Sequence, residues 1–153
     1  MEQMSPFLAV AIFAIVGPLF WCSICWLISR MGGWHRWADF YPDPSGHQGR
    51  VLTWQSGAFR LGQYNGVLNL SADPDALVLS VILPFRFGHA PIRIPWEDLK
   101  VEIQKSRWFG DIVYVSAKRV SGVQLRLAGR TWKRLQETGG ETVPSPSNAP
   151  PVR

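Results

Sequence analysis

One apolar run near the N-terminus constrains this chain most, because residues 6–29 contain no charged side chain. The run is 24 residues long, and at ~1.5 Å of rise per residue a helix of that length crosses a ~30 Å hydrocarbon core. A cleaved secretory signal is the competing interpretation, but no Lys or Arg precedes the run and no small-residue cleavage site follows it. The run predicts an uncleaved transmembrane helix after a short tail, 1–5.

The basic residues predict the orientation of that helix. All 16 Lys and Arg lie at or after Arg30, and 10 of the 11 acids lie there too, so this part of the chain carries a net charge of +6. Lys and Arg next to a span resist translocation, so Arg30 and Arg36 favour an external N-terminus and a cytoplasmic C-terminal domain. We therefore expect a single-pass membrane protein in contact with the lipid bilayer.

Aromatic residues cluster directly after the span. Trp34, Trp37 and Tyr41 recur at steps of three and four, which places them on one face of a helix. Because Trp prefers the boundary between headgroups and hydrocarbon, we expect an interfacial juxtamembrane helix within residues 30–41, with Trp34 and Trp37 at the membrane surface. In the alternative, these aromatics pack on the domain that follows.

Two cysteines lie inside the span with C-x-x-C spacing. Cys22 and Cys25 face hydrocarbon in the predicted helix, where a thiolate is unfavourable, and no second Cys or His pair completes a tetrahedral zinc site. We therefore expect them to act as small packing residues, with acylation or a helix-pairing face as the alternatives. No metal and no cofactor is expected.

The remaining chain divides into a linker, a β-rich domain and a tail. Turn-forming residues over 42–50 predict the linker. Residues 51–137 alternate between apolar and polar over short segments, and then take on a helical pattern in which Trp132 and Leu135 share a face. Residues 138–153 contain four prolines, and we expect them to be disordered. The clearest strand signals cover 66–71, 76–83, 92–94, 99–105, 111–118 and 123–127.

This spacing predicts a mainly-β fold, in which six or seven antiparallel strands form a barrel or sandwich closed by a C-terminal helix. The strand Gly66–Ser71, the segment Ile94–Leu99 and the final Trp-bearing helix resemble the pleckstrin-homology-like superfold, especially its GRAM and bacterial branches. The stretches 83–96 and 34–42 also resemble a group of small bacterial single-pass membrane proteins. The resemblance implies a binding or scaffolding module and brings no activity with it.

The candidate binding residues lie in the proline-rich segment 83–96. In one interpretation it is a rigid surface loop that presents Arg86 and His89, with Arg93 nearby, to an anionic partner or headgroup. In the other it is a stiff crossover whose aromatic residues fill the end of the barrel while Arg86 pairs locally. Its aromatic residues are Phe85, Phe87 and Trp96.

Two adjacent aromatics at a hairpin tip form a second candidate surface. Trp108 and Phe109 separate two predicted strands, where they can contact the bilayer or a partner. Packing of both rings onto the domain is the alternative.

No catalytic motif is present. The chain has no G-x-S-x-G, no H-E-x-x-H and no phosphate loop, so we expect a protein that is not an enzyme. Its cations are scattered along predicted strands, which argues against nucleic-acid binding. Two hypotheses remain: a membrane-anchored module that binds an unidentified protein, and a peripheral sensor of anionic lipids. A homo-oligomer is possible in either case.

Overall fold

A computed structural model describes residues 5–108 and 110–148. Its first element is the helix α1, Pro6–Gly32, which extends three residues beyond the predicted span. Over an 18-residue window the mean hydropathy of α1 is 2.3, and none of that window is buried in the protein. One helix near the N-terminus is therefore long and apolar enough to span a membrane.

A single glycine separates α1 from the short helix α2, Trp34–Phe40. Gly33 ends α1 in the left-handed conformation, with φ +90, which glycine adopts without the steric cost that a Cβ brings. The methyl groups of Val123 lie 3.1 Å from the position of a Cβ at Gly33, so the same residue lets the chain turn tightly against the domain.

Eight strands form one sheet in the order β4-β3-β2-β1-β7-β6-β5-β8. All neighbours are antiparallel except β5 and β8. Seven of these strands form a nearly closed antiparallel barrel that is followed by a helix, so the predicted mainly-β architecture is confirmed. The strands are β1 Val51–Phe59, β2 Gly62–Ala72, β3 Ala76–Val81, β4 Ile92–Pro95, β5 Leu99–Gln104, β6 Ile112–Ala117, β7 Val120–Ala128 and β8 Ser147–Asn148.

The first strand has the weakest sequence pattern because its pairing is irregular. The register between β1 and β2 shifts on both sides of Gln55. Trp54, next to it, has φ +58 and leaves 70% of its surface exposed. Such bulges interrupt the alternation between inward and outward side chains, which is why the sequence there reads as mixed.

A helix closes each end of the barrel. The helix α3, Gly129–Gly139, contacts β2, β6 and β7, and buries Trp132 and Leu135 as their spacing predicts. The helix α2 contacts β4 and β7 at the end where β1 turns into β2. Core side chains of the strands fill the space between the two helices, with Leu68, Leu70, Leu79 and Leu125 fully buried.

The segments predicted as linker and disordered tail both lie against the barrel. The backbone N–H groups of Gln48 and Gly49 donate to Asp73. In the tail, Val143 is buried in the core, and β8 pairs with β5. The expectation of disorder is therefore corrected for 138–148, because apolar burial and a strand pair fix this stretch; 149–153 lie outside the described residues.

Candidate functional site

The C-terminal part of α1 packs along the loop 82–91, which connects β3 to β4. The indole N–H of Trp21 donates to the carbonyl oxygen of Pro84 over 3.2 Å, and the Trp21 and Phe85 rings lie 5.2 Å apart. Further along α1, the hydroxyl of Ser29 donates to the carbonyl oxygen of Gly88 over 2.5 Å. The loop therefore follows α1 for about eight residues, and the helix is fixed to the barrel on this side.

Gly88 makes the closest approach between the loop and α1. Its φ is +74, and a Cβ at this position would lie 2.9 Å from the Cα of Trp26. No larger residue fits this backbone conformation and this contact together. The segment 83–96 is therefore not a free surface loop: its first part contacts α1, and its last part includes β4. Phe85 and Trp96 pack against the core, as the second interpretation expected, whereas Phe87 is exposed.

His89 does not face solvent, which corrects its assignment as a surface binding residue. Its exposure is 3%, and its Nε2 lies 2.9 Å from the hydroxyl of Tyr64. Its Nδ1 lies 3.0 Å from the carbonyl oxygen of Phe87. One ring nitrogen therefore contacts the loop, and the other contacts Tyr64 of β2. Burial lowers the pKa of His89, which favours the neutral ring, and burial also raises the pKa of Tyr64.

Trp34 and Trp37 lie in the barrel core and not at a membrane surface. Both are 0% exposed and pack edge-on against Phe59, with ring centroids 5.4 and 5.0 Å away. The indole N–H of Trp34 donates to the carbonyl oxygen of Ala90 over 2.9 Å. The structure therefore has the alternative arrangement, in which these aromatics pack on the domain. Burying both rings in the core removes more apolar surface from water than placing them at the membrane surface would.

Arg93 is held in an ion-pair cluster and is not free for a ligand. Its guanidinium donates to Asp73 over 2.8 Å and to Asp75 over 2.5 Å. Burial works to lower the pKa of Arg93, but the hydrogen bonds to the two carboxylates outweigh it and raise the pKa. Its expected role in binding is corrected to a structural one, in which it joins β4 to the β2–β3 turn.

Asp73 is the centre of that cluster. Its side chain is 0% exposed, and it accepts hydrogen bonds from Ser71, from the backbone of Gln48 and Gly49, and from Arg93. Burial alone would raise the pKa of Asp73, but these donors stabilise the carboxylate and hold the pKa below its ordinary value. The cluster therefore binds the segment 42–50 to the barrel through the backbone of Gln48 and Gly49.

Two of the predicted surface residues are exposed in the structure. Arg86 lies on the loop 82–91 beside α1. Trp108 has 89% of its surface exposed and lies between β5 and β6, at the opposite end of the β6–β7 hairpin from Val123, which lies beside Gly33. Phe109 lies outside the described residues. The structure thus does not bring Trp108 together with Trp34 or Trp37.

The two end strands of the barrel, β4 and β5, are each partly covered by the chain itself. Next to β4, the N–H of Arg93 donates to the carbonyl oxygen of Tyr41, and Pro42 bridges to Ile92. Next to β5, β8 pairs in parallel with Glu102 and Ile103. A partner strand that added to either edge would first have to displace these segments.

A groove of about 810 Å³ opens between α3 and the end of the β5–β6 hairpin, and we call it the distal groove. Three of its lining residues are cations, Lys105, Arg130 and Lys133, and within the described part of the chain none of them forms an ion pair. Sequence reasoning missed this site because Lys105 is 25 residues before Arg130, and only the fold brings the two together. Its other lining residues are Ile103, Gly110, Asp111, Val113, Ala128, Gly129, Trp132, Gln136 and Pro146.

Comparison with protein-family models, with curated proteins and with solved structures gives no match for this chain. Among residues 5–108 and 110–148, no group of three or more His, Cys, Asp and Glu side chains is arranged to hold a metal ion. The candidate site is therefore described by geometry alone: a barrel fixed to the end of α1, with an open basic groove at its other end.

Proposed function

We propose that this chain is a single-pass membrane protein whose pleckstrin-homology-like barrel is a binding module on the cytoplasmic face. The length and hydropathy of α1 support the anchor, and Arg30 and Arg36 support the orientation. The strand order, a meander in which β1 also pairs with β7, followed by a C-terminal helix, supports the fold assignment.

The partner that fits best is an acidic segment of another protein, bound in the distal groove. The observation that carries this proposal is that the groove has three cations, Lys105, Arg130 and Lys133, and one acid, Asp111, beside the apolar side chain of Ile103. Within the described residues none of the three cations forms an ion pair. Positive potential over an apolar floor favours a ligand that offers carboxylates and apolar side chains together. The other surfaces considered from the sequence are less available, because β4 and β5 are partly covered at their outer edges and the loop 82–91 contacts α1.

Photo-crosslinking from the groove in native membranes tests this proposal. The full-length protein carries p-benzoylphenylalanine at Gln136, which lines the groove, or at Gln124, which is exposed on β7. We expect a discrete protein adduct from position 136 and none from position 124. Lys133→Glu should abolish the adduct, whereas Arg134→Glu, the same charge change on the next residue of α3, should leave it.

The proposal fails if position 136 yields no discrete adduct, or if Lys133→Glu and Arg134→Glu have the same effect. Equal effects would mean that net charge, and not the groove, governs the association.

One observation favours a sensor of anionic lipids as a second candidate function. Arg86 is exposed on the loop 82–91, which lies alongside α1, and within the described residues it forms no ion pair. A cation in that position suits a lipid phosphate. Purification of the full-length protein from native membranes, with mass spectrometry of the bound lipids, should then show an anionic lipid that Arg86→Gln loses and Arg107→Gln keeps. Equal lipid content in both variants would exclude this function.

A further inference from the structure

The tip of the loop 82–91 lies beside a part of α1 that belongs in hydrocarbon, if α1 spans the membrane as proposed above. Trp21 contacts the tip through Pro84 and Phe85, whereas Ser29 contacts the base of the loop through Gly88. Residues 84–88 thus run in the same direction as residues 21–29 of α1, and the tip lies nearer the N-terminal end of the helix.

The depth of the tip follows from the length of helix that precedes the contact. Only 15 residues separate Pro6, the first residue of α1, from Trp21. At ~1.5 Å per residue they span ~22 Å, which is less than the ~30 Å hydrocarbon core. Even with Pro6 at the outer boundary, Trp21 lies ~8 Å inside the inner boundary, and tilting the helix places it deeper.

From this geometry we propose that the tip of the loop, residues 83–87, enters the inner-leaflet hydrocarbon beside α1. The side chains on the tip suit that solvent. Leu83 is 77% exposed and Phe87 60% exposed, although both are large and apolar. On α1, Trp21 and Trp26 are likewise apolar and 39% and 49% exposed.

Part of the backbone of the tip has hydrogen-bond partners within the protein, as a low-dielectric solvent requires. Pro84 has no N–H, and its carbonyl oxygen accepts from Trp21. The N–H of Phe85 donates to the carbonyl oxygen of Ile82, and the N–H of His89 donates to that of Arg86. Arg86 is the one charged residue of the tip, and its long side chain can reach the headgroup layer, as arginines near a membrane boundary do.

Depth-dependent quenching of a single fluorophore tests the inference. Cys22 and Cys25 are first replaced by alanine, and the full-length protein is then labelled with an environment-sensitive fluorophore at one new cysteine, Leu83→Cys. It is reconstituted in vesicles that contain lipids spin-labelled on their acyl chains. Two further labelled variants calibrate depth: Leu19→Cys within α1, and Leu61→Cys on the β1–β2 turn. Leu61 is 71% exposed, close to the value for Leu83, and it lies next to Gly62, which contacts Gly32 at the end of α1.

We expect the label at position 83 to be quenched several-fold more strongly than the label at position 61, and to a degree that approaches position 19. If position 83 matches position 61 while position 19 is quenched, the loop inference is wrong and the membrane anchor stands. If none of the three positions is quenched, α1 does not cross the bilayer, and the proposed anchoring fails together with the inference.

Discussion

The hydroxyl of Ser29, 1% exposed on α1, donates a hydrogen bond to the carbonyl oxygen of Gly88 in the loop between β3 and β4. The two residues are 59 positions apart in sequence, so this bond exists only when α1 and the barrel are docked. The bond satisfies the buried hydroxyl of Ser29, and breaking it while this hydroxyl stays buried is costly, because the hydroxyl would be left without a partner. The anchor and the barrel are thus joined by more than the peptide chain.

The closest part of this contact predicts the effect of adding one methyl group. Gly88→Ala places a Cβ at positive φ and against the backbone of Trp26, whereas Gly122→Ala meets φ +75 in open space. We expect Gly122→Ala to lower the free energy of unfolding by about 1–2 kcal/mol, and Gly88→Ala to cost about 1–3 kcal/mol more through overpacking. Denaturation of the full-length protein in detergent measures the difference. Equal losses in the two variants would show that α1 does not pack on the loop.

Trp34 and Trp108 predict opposite responses to truncation. Trp34→Ala removes a fully buried ring from the core and should lower the free energy of unfolding by about 3–5 kcal/mol. Trp108→Ala removes a ring that is 89% exposed and should change it by less than about 0.5 kcal/mol. The same denaturation experiment compares them. Little loss of stability in Trp34→Ala would contradict the core position of this residue and favour the membrane surface.

The Asp73 cluster predicts that the free energy of unfolding falls at acid pH, and we call this part of the pH profile the acid limb. Because the pKa of Asp73 is lower in the fold than in the unfolded chain, its contribution is complete above the unfolded value of about 3.9 and is lost as the pH falls through the folded value. Asp73→Asn should cost about 3–5 kcal/mol at neutral pH, since it leaves Arg93 without its buried partner, and should flatten this limb. Asp75→Asn, at a side chain that is 69% exposed, is the control and should cost less. An unchanged acid limb in Asp73→Asn would contradict the cluster.

His89 predicts a second pH dependence at higher pH. Its folded pKa lies below the unfolded value of about 6.5, so the fold favours the neutral ring. The contribution of His89 to stability is therefore fully present above about pH 6.5. It is lost below that value, where the unfolded state takes up a proton. His89→Gln keeps a polar group near Tyr64 and should remove part of this fall. The remainder belongs to His47, whose pKa burial also lowers. A titration of stability between pH 4 and 8 that is identical in wild type and His89→Gln would refute this role.

Local patterns predicted the elements of the fold well. The uncharged run gives α1, period-two alternation gives the strands, and the spacing of Trp132 and Leu135 gives the buried face of α3. β1 was harder to recognise, because its bulges break the alternation.

Relations between distant residues could not be predicted in this way. Trp34 suits a membrane boundary and a protein core equally by its chemistry, and only the position of Phe59 decides between them. Asp73 accepts hydrogen bonds from the backbone of Gln48 and Gly49, which lie more than 20 residues earlier, and no local pattern indicates this contact. The distal groove brings Lys105, which follows β5, next to Arg130 and Lys133 of α3, which are far from it in sequence.

A distance measurement across the junction of α1 and the barrel tests the central claim most directly. Spin labels at Ala11, on the exposed surface of α1, and at Gln124, on β7, are introduced into the full-length protein with Cys22 and Cys25 replaced by alanine, and double electron–electron resonance is recorded in lipid nanodiscs. A barrel fixed to its anchor predicts a single narrow distance distribution, which Gly88→Ala should broaden. A broad distribution in the otherwise unaltered protein would show that the barrel is loosely tethered, and would contradict the account.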